Sequence, residues 1–256
     1  SEGSNMHGLW TAYFAALGMA FGSFYNVIGL RVPNHESIIR PGSHCPKCGH
    51  SLSWYENIPV LSFLALRGRC RSCRAPISPV YPVFEALTGG LFAYSFYRFG
   101  WSPEFLLAVF FISLLVIITV SDLAYMLIPD KVLFPFAAAI AAVRLFHPAS
   151  PWWSAWLGAV FGFCLLYLIA FFTKGAMGGG DIKLFFVIGL VLGIEKTFLA
   201  FFLACFFGAL YGVGLMAAGK FKKRKPVPFG PFIAIGALAA YFFGNSLIGM
   251  YLRFSG

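Results

Sequence analysis

Long apolar runs separated by short polar stretches dominate the sequence. A membrane-spanning helix needs about 20 mostly apolar residues, and eight stretches reach or approach that length. We therefore predict an all-α polytopic membrane protein with about eight transmembrane helices. The predicted spans are residues 8–30, 82–98, 105–127, 131–146, 152–173, 181–194, 197–217 and 229–250.

A polar segment after the first span divides the chain. Residues 31–81 are the only sizeable polar stretch, and we predict that they form a small cytoplasmic domain. Residues 6–30 precede it as the first transmembrane helix. Residues 82–256 follow it as a seven-helix membrane domain. Residues 1–5 read as an expression scar before a natural start.

The composition excludes a disordered protein and argues against an ordinary soluble domain. Hydrophobic residues make up 59% of the chain and charged residues 11%, whereas soluble domains carry about 25% charged residues. The 19 Lys and Arg outnumber the 9 Asp and Glu, which gives a formal net charge of +10. In a membrane protein this excess indicates topology, and we expect contact with the lipid bilayer and no nucleic-acid partner.

The basic residues collect on one side of the predicted spans. If the N-terminus lies outside, fifteen of the 19 Lys and Arg fall on the cytoplasmic side. The positive-inside rule therefore places the N-terminus outside and the 31–81 loop in the cytoplasm. We interpret the basic run at residues 220–225 as a further topology signal.

Four cysteines in the cytoplasmic loop form two Cys-x-x-Cys pairs, Cys45 with Cys48 and Cys70 with Cys73. This spacing is typical of a tetrahedral zinc site in which each pair supplies two thiolates. Two disulfides and four free thiols are the alternatives, and a reducing cytosol disfavours the disulfides. Four thiolates would close the coordination shell, so the predicted Zn²⁺ is structural and compensates for the loop's small core.

The chain has three aspartates, and all of them fall at the predicted cytoplasmic side. Asp130 follows a proline and precedes a helix, which favours an N-capping role. Asp181 is also a candidate N-cap, but capping does not explain the glycines at 178–180. Asp122 has no capping role, and a carboxylate within an apolar span costs roughly 2.5–3.5 kcal/mol to insert. Asp122 therefore calls for a functional explanation.

Two carboxyls at one membrane depth indicate an aspartyl hydrolase. The helix dipoles favour Asp181, at a helix N-terminus, as the base, and Asp122, at a C-terminus, as the holder of the proton. An ion-coupled transporter would also place aspartates in spans, but it would not need the glycines or the cysteines. A zinc-binding scaffold without chemistry is the third hypothesis, and it leaves Asp122 unexplained.

In four blocks the chain resembles the prepilin peptidases, also called type IV leader peptidases. The blocks are Gly22–Val27 with Arg31–Pro33, the segment from Cys45 through Trp54–Pro59 to Cys73, Asp122 with Leu127–Asp130, and Gly178–Lys183. The last contains the GxGD pattern of Gly178, Gly180 and Asp181. The four blocks occur in this order, which makes the resemblance specific.

The resemblance implies a bifunctional enzyme of the bacterial cytoplasmic membrane. Such enzymes cleave the leader of prepilins or pseudopilins on the cytoplasmic side, and many then N-methylate the new amino terminus with S-adenosylmethionine. The family's catalytic aspartates correspond to Asp122 and Asp181. Its zinc ligands correspond to the four loop cysteines. Gly178, Gly180 and Asp130 would form a supporting loop around the catalytic pair.

Asn26 and Glu85 are polar residues near the inner ends of the first two predicted spans. One interpretation places them in a methyl-donor or substrate-terminus site. The other is hydrogen bonding between helices, and the sequence favours this second interpretation.

Overall fold

The computed structural model describes residues 2–174, 177–219 and 227–255. Within these ranges every regular element is a helix, apart from two isolated β-bridges. The prediction of an all-α protein is confirmed. The basic run at 220–225 lies outside the described residues.

Eight α-helices and one short 3₁₀ helix make up the described fold. The α-helices are α1 (Glu2–Arg31), α2 (Leu61–Ala65), α3 (Val80–Phe99), α4 (Pro103–Tyr125), α5 (Asp130–Phe146), α6 (Ser154–Phe172), α7 (Gly179–Ala217) and α8 (Gly230–Ser255), and the 3₁₀ helix is Trp54–Asn57. By length and composition, α1, α4, α6, α7 and α8 could each cross a membrane. Of the other predicted spans, α5 has 17 residues, and α3 has 20 but carries Glu85 and Arg98.

α7 is broken into two arms at Gly193. This residue has φ 74° and ψ 178°, which lies outside the helical region. The rings of Phe185 and Phe201, one on each arm, have centroids 6.1 Å apart, whereas a straight helix would separate these positions by about 24 Å along its axis. The two arms therefore fold back against each other, and they correspond to the predicted spans 181–194 and 197–217.

A buried arginine compensates for the break in α7. A helix end leaves backbone carbonyls without helical partners, and in apolar surroundings each needs another donor. Arg144 of α5 is buried, and its Nη2 donates to the Val191 carbonyl at 2.7 Å. This bond satisfies a carbonyl two residues before Gly193 and ties α5 to the turn between the arms.

The chain divides into two compact units, Ser1–Val120 and Ser121–Gly256. In the first unit α1 packs on α3 through glycines. A Cβ on Gly22 would lie 2.9 Å from the Glu85 Cα, and one on Gly18 would lie 2.9 Å from the Gly89 Cα. The two backbones can approach this closely only because these positions lack side chains.

In the second unit α6 packs on α7 in the same way. Gly158 and Gly162 of α6 form a GxxxG pair, and they lie against the backbone around Gly189 and Phe185 of α7. A Cβ on Gly189 would overlap the Gly158 carbonyl oxygen. The spacing of α6 and the first arm of α7 therefore depends on glycine at both positions.

We predict that Gly189→Ala destabilises the protein by about 1–3 kcal/mol, because the new methyl group meets backbone that has no room to move. The matched control is Gly212→Ala in the same helix, where a Cβ would meet nothing within 4 Å. Thermal unfolding of the purified protein in detergent should show a lower Tm for Gly189→Ala only. Equal Tm values for the two variants would contradict the glycine-dependent packing.

Candidate active site and metal centre

Asp122 lies in the last turn of α4 and is 6% exposed. Its Oδ2 accepts a hydrogen bond from the backbone N–H of Gly230 at 2.7 Å. Gly230 is the first residue of α8, so the carboxylate lies at the N-terminus of another helix, where negative charge is favoured. The prediction that Asp122 has no capping role holds for α4, but it was incomplete, because Asp122 caps α8.

Gly230 is a site residue that the sequence did not reveal. A Cβ at this position would lie 2.8 Å from Asp122 Oδ2, so glycine is required for the backbone to approach the carboxylate. The Gly230–Pro231 pair is typical of a helix N-terminus and could have indicated the start of α8. Its partner lies 108 residues away in sequence, and no local pattern identifies it.

Asp181 lies in the first turn of α7, whose N-cap is Gly178. The expectation that Asp181 is itself the N-cap is therefore wrong by three residues. Its carboxylate lies beside this N-cap residue, since a Cβ on Gly178 would lie 3.3 Å from Asp181 Oδ2.

The glycines before Asp181 have a packing role. A Cβ on Gly180 would lie 2.7 Å from the Ile128 Cβ, so the turn between α4 and α5 packs directly on this glycine. In that turn the Ser121 hydroxyl donates to the Leu127 carbonyl. The turn after Asp122 and the start of α7 at Asp181 are therefore held together.

The structure brings Asp122 and Asp181 together within the second unit. The two carboxyls are close enough to repel each other when both are charged. Asp122 is buried and Asp181 is half-buried. The two carboxyls are therefore candidates for an acid and a base at one site.

Asp130 has a different role from the predicted N-cap. The N-cap of α5 is Pro129, and no side chain caps this helix. Both carboxylate oxygens of Asp130 accept from Lys183 Nζ, at 2.9 and 2.7 Å. Both side chains are about half exposed, so the ion pair contributes at most about 1 kcal/mol. It links the start of α5 to the first turns of α7, close to Asp181.

The four loop cysteines form one cluster in the first unit. Their sulfur atoms all lie within 4.8 Å of one another, with Cys45 to Cys73 at 3.8 Å and Cys48 to Cys70 at 3.9 Å. A tetrahedral zinc with bonds of about 2.3 Å places its sulfurs about 3.8 Å apart, so the cluster fits this metal. A disulfide needs about 2.05 Å, and the four cysteines are not paired in this way.

The backbone of each pair forms the same turn. In both pairs a backbone N–H donates to the carbonyl of the first cysteine, four residues earlier: Gly49 donates to Cys45, and Arg74 donates to Cys70. The backbone N–H groups of Cys48 and Lys47 lower the pKa of the Cys45 thiol to about 6, whereas burial and the neighbouring cysteine thiols raise the pKa of the Cys48 thiol to about 11. The turn therefore favours the thiolate, which is the form that binds metal, at Cys45.

Glu56 ties the first cysteine pair to the 3₁₀ helix. It is 7% exposed, and its Oε2 accepts from the Ser53 backbone N–H at 2.9 Å and lies 3.3 Å from His50 Nε2. The Ser53 N–H, with His50, lowers the pKa of Glu56. The Ser-x-x-Glu pattern of residues 53–56 is a capping box, and it could have indicated this role from sequence.

Asn26 and Glu85 both lie where α1 meets α3. Asn26 Nδ2 donates to the Tyr81 carbonyl at 3.3 Å, which is hydrogen bonding between helices. Glu85 instead accepts the backbone N–H of Val60 at 2.7 Å, so it joins α3 to the cysteine-bearing loop. Both side chains are buried.

Comparison with known proteins agrees with this geometry. The model of the family described as "Bacterial Peptidase A24 N-terminal domain" matches residues 16–99, and that of the "Type IV leader peptidase family" matches residues 109–213. The second range contains both Asp122 and Asp181. No solved structure matches the chain.

Three relatives carry the name "Prepilin leader peptidase/N-methyltransferase". The Bacillus subtilis protein is 48% identical over 92% of this chain and 95% of its own length. The Myxococcus xanthus protein is 39% identical over 84% of this chain and 66% of its own length. The Burkholderia pseudomallei protein is 33% identical over 93% of this chain and 87% of its own length. With a family model that covers both aspartates and a relative 48% identical over 95% of its own length, this chain belongs to the type IV leader peptidase family.

Proposed function

We propose that the protein is a membrane-embedded aspartyl endopeptidase that removes the leader peptide of prepilins or pseudopilins and then methylates the new amino terminus. The observation that carries this proposal is the proximity of two carboxyls: Asp122, bonded to the backbone N–H at the start of α8, and Asp181, in the first turn of α7. The names of the relatives support it. Nothing among the matched families and relatives supports the ion-coupled transporter.

In the proposed mechanism the two carboxyls take different protonation states. Asp181, which is half-buried and therefore accessible to water, accepts a proton from the attacking water molecule. Asp122, which is buried, carries a proton and polarises the scissile carbonyl, then passes that proton to the leaving amine. The Gly230 N–H holds Asp122 Oδ2, which leaves the other carboxyl oxygen for the substrate. The pair titrates as a unit.

The residues around the pair fix its geometry. Gly178 lies beside the Asp181 carboxylate, and Gly180 lets the α4–α5 turn pack against α7. The ion pair of Asp130 with Lys183 adds a link between α5 and α7. We assign these residues a positioning role.

The cysteine cluster would hold one structural Zn²⁺. Four thiolates fill a tetrahedral shell, so no position remains for water or substrate. The metal would stabilise the 31–81 loop, which is too small to build a large core of its own. A zinc-stabilised loop would also hold the Val60 N–H against Glu85.

We place the enzyme in the bacterial cytoplasmic membrane with its N-terminus outside. The bias of basic residues toward one side supports this orientation. With α3, α5 and both arms of α7 counted as crossings, the 31–81 loop, Asp122, Asp130 and Asp181 all lie on the cytoplasmic side. This is the side on which the resemblance places the basic leader of a prepilin.

Methyl transfer would use the first unit. The family model of the type IV leader peptidases covers both aspartates, whereas residues 16–99 match a separate family model, that of the N-terminal domain. S-adenosylmethionine supplies an electrophilic methyl group when it is bound. Asn26 and Glu85 are buried polar residues of this region. Asn26 joins α1 to α3, and Glu85 joins α3 to the 31–81 loop. We assign them to the methyl donor or to the substrate terminus.

Replacing either aspartate should abolish leader cleavage. We expect Asp122→Asn and Asp181→Asn each to reduce the rate by at least about 100-fold, because each removes one general acid or base. Asp130→Asn is the matched control and should lose less than about tenfold, because its ion pair is exposed. Co-expression with a prepilin and mass spectrometry of the product measures all three. Wild-type rates in either of the first two variants would overturn the aspartate pair.

Gly230→Ala should reduce cleavage strongly without changing any carboxyl group. The new Cβ would lie within 3.0 Å of the Asp122 carboxyl, and moving a catalytic group by about 1 Å can cost about 100-fold. Gly249→Ala, also in α8, has nothing within 4 Å of its Cβ and should cleave at the wild-type rate. Equal rates for the two variants would show that the Gly230 contact does not position Asp122.

The purified protein should contain one zinc per chain by elemental analysis. We expect Cys48→Ser or Cys70→Ser to lose the metal and lower the Tm, because three thiolates cannot fill the shell. Cys205→Ser, in the second arm of α7, should keep both the zinc and the Tm. Protein without zinc, or zinc retained in both loop variants, would contradict the proposed metal site.

A further inference from the structure

We propose that Asn26 and Glu85 form a receptor for a primary ammonium group at the interface of α1 and α3. This inference rests on the methyl-transfer part of the proposed function, and it specifies the ligand chemistry and the atoms that bind it. Two sources present such a group: the new α-amino terminus of the cleaved protein and the amino-acid end of the methyl donor.

Asn26 contributes a buried acceptor that has no donor. The residue is 3% exposed, and its Nδ2 donates to the Tyr81 carbonyl at 3.3 Å. This bond fixes the orientation of the amide, because the flipped amide would place two carbonyl oxygens against each other. Within the described residues no donor reaches Asn26 Oδ1. Buried acceptors are almost always paired, so an unpaired one calls for a ligand.

Glu85 contributes a carboxylate at the same place. It is 8% exposed, it accepts from the Val60 backbone N–H at 2.7 Å, and the Ser23 hydroxyl lies close to it. Both of these groups are neutral. No Lys, Arg or His among the described residues forms an ion pair with Glu85. A buried carboxylate with only neutral partners favours the binding of a cation.

Helix packing places the two acceptors on one interface. Tyr81, whose carbonyl binds Asn26, lies one turn before Glu85 on α3. On α1, Gly22 lies one turn before Asn26, and a Cβ there would lie 2.9 Å from the Glu85 Cα. The Ser23 side chain of α1 lies close to the Glu85 carboxylate. The Asn26 amide and the Glu85 carboxylate are therefore neighbours across α1 and α3.

The donor and acceptor chemistry selects an ammonium ion. The site offers one amide oxygen and one carboxylate, and both only accept. A primary ammonium has three N–H donors and a positive charge, so it can satisfy Asn26 Oδ1 and Glu85 together. A hydroxyl or an amide would satisfy the oxygen but leave the charge without a counterion. A cleavage enzyme that also methylates its product must bind such a group, and this group becomes the nucleophile only after it has given up one proton.

The first test measures binding with short peptides that begin with the mature N-terminus of a prepilin. The full-length protein in detergent is titrated with the free peptide and with its N-acetylated form, by calorimetry. We expect the wild type to bind the free peptide at least about tenfold more tightly. Glu85→Gln should bring that ratio close to one, because it removes the charge but keeps an oxygen for the Val60 N–H. Asn26→Leu should also lower the ratio.

Glu36→Gln is the matched control, since it removes the same charge from an exposed position of the same unit and should keep the wild-type ratio.

The second binding experiment compares S-adenosylmethionine with an analogue that lacks the amino group. If Glu85→Gln abolishes that discrimination and leaves the peptide ratio unchanged, the ammonium belongs to the methyl donor. If both discriminations survive in Glu85→Gln and Asn26→Leu, the receptor does not exist.

Mass spectrometry of a co-expressed prepilin separates this inference from the proposed function. An uncut precursor with the wild-type enzyme would refute the endopeptidase, whatever the binding data show. With cleavage intact, we expect the methylated fraction of the cleaved product to fall at least about tenfold in Glu85→Gln and to stay unchanged in Glu36→Gln. An unchanged fraction in Glu85→Gln would overturn the receptor's role in methyl transfer.

Discussion

A polar group inside a bundle of apolar helices must find its partner within the protein, because the surrounding medium offers none. This constraint explains the main polar contacts of the second unit. The break at Gly193 exposes backbone carbonyls, and Arg144 donates to one of them. The start of α8 exposes backbone N–H groups, and Asp122 accepts one of them. Asp122 is therefore part of the architecture before any chemistry is considered.

The glycines set how precisely these partners meet. Gly230 allows the α8 backbone to approach Asp122, and Gly180 allows the α4–α5 turn to lie on α7. Gly158 and Gly189 hold α6 against the arm of α7 that begins next to Asp181. A side chain at any of these positions would separate backbones that carry the site. Catalysis tolerates errors of less than about 1 Å in such groups, so close packing and function impose the same requirement on these residues.

The sequence was sufficient to predict the helices, the cysteine cluster and the two aspartates, because each depends on a local pattern. Apolar length predicts a span, the Cys-x-x-Cys spacing predicts a metal-binding turn, and a lone carboxylate in an apolar run stands out. The contacts that complete the site depend on residues far apart in the chain. Gly230 lies 108 residues from Asp122, and Lys183 lies 53 residues from Asp130. Asp130 looked like an N-cap because its local pattern is that of a cap, whereas a distant lysine determines its partner.

The helix dipole does not by itself divide the roles of the two aspartates. From sequence, Asp122 lies at the C-terminal end of a helix and Asp181 at an N-terminal start, which favoured Asp181 as the charged partner. In the fold Asp122 accepts a backbone N–H at the start of α8, and Asp181 lies in the first turn of α7. Both carboxylates therefore lie at helix N-termini, and this difference largely disappears. Exposure still distinguishes them, because Asp122 is buried and Asp181 is half-buried. Water reaches a half-buried carboxylate more readily than a buried one. The assignment of Asp181 as base therefore rests on access to water, and the buried Asp122, held at one oxygen by Gly230, is the group suited to keep a proton for the substrate carbonyl.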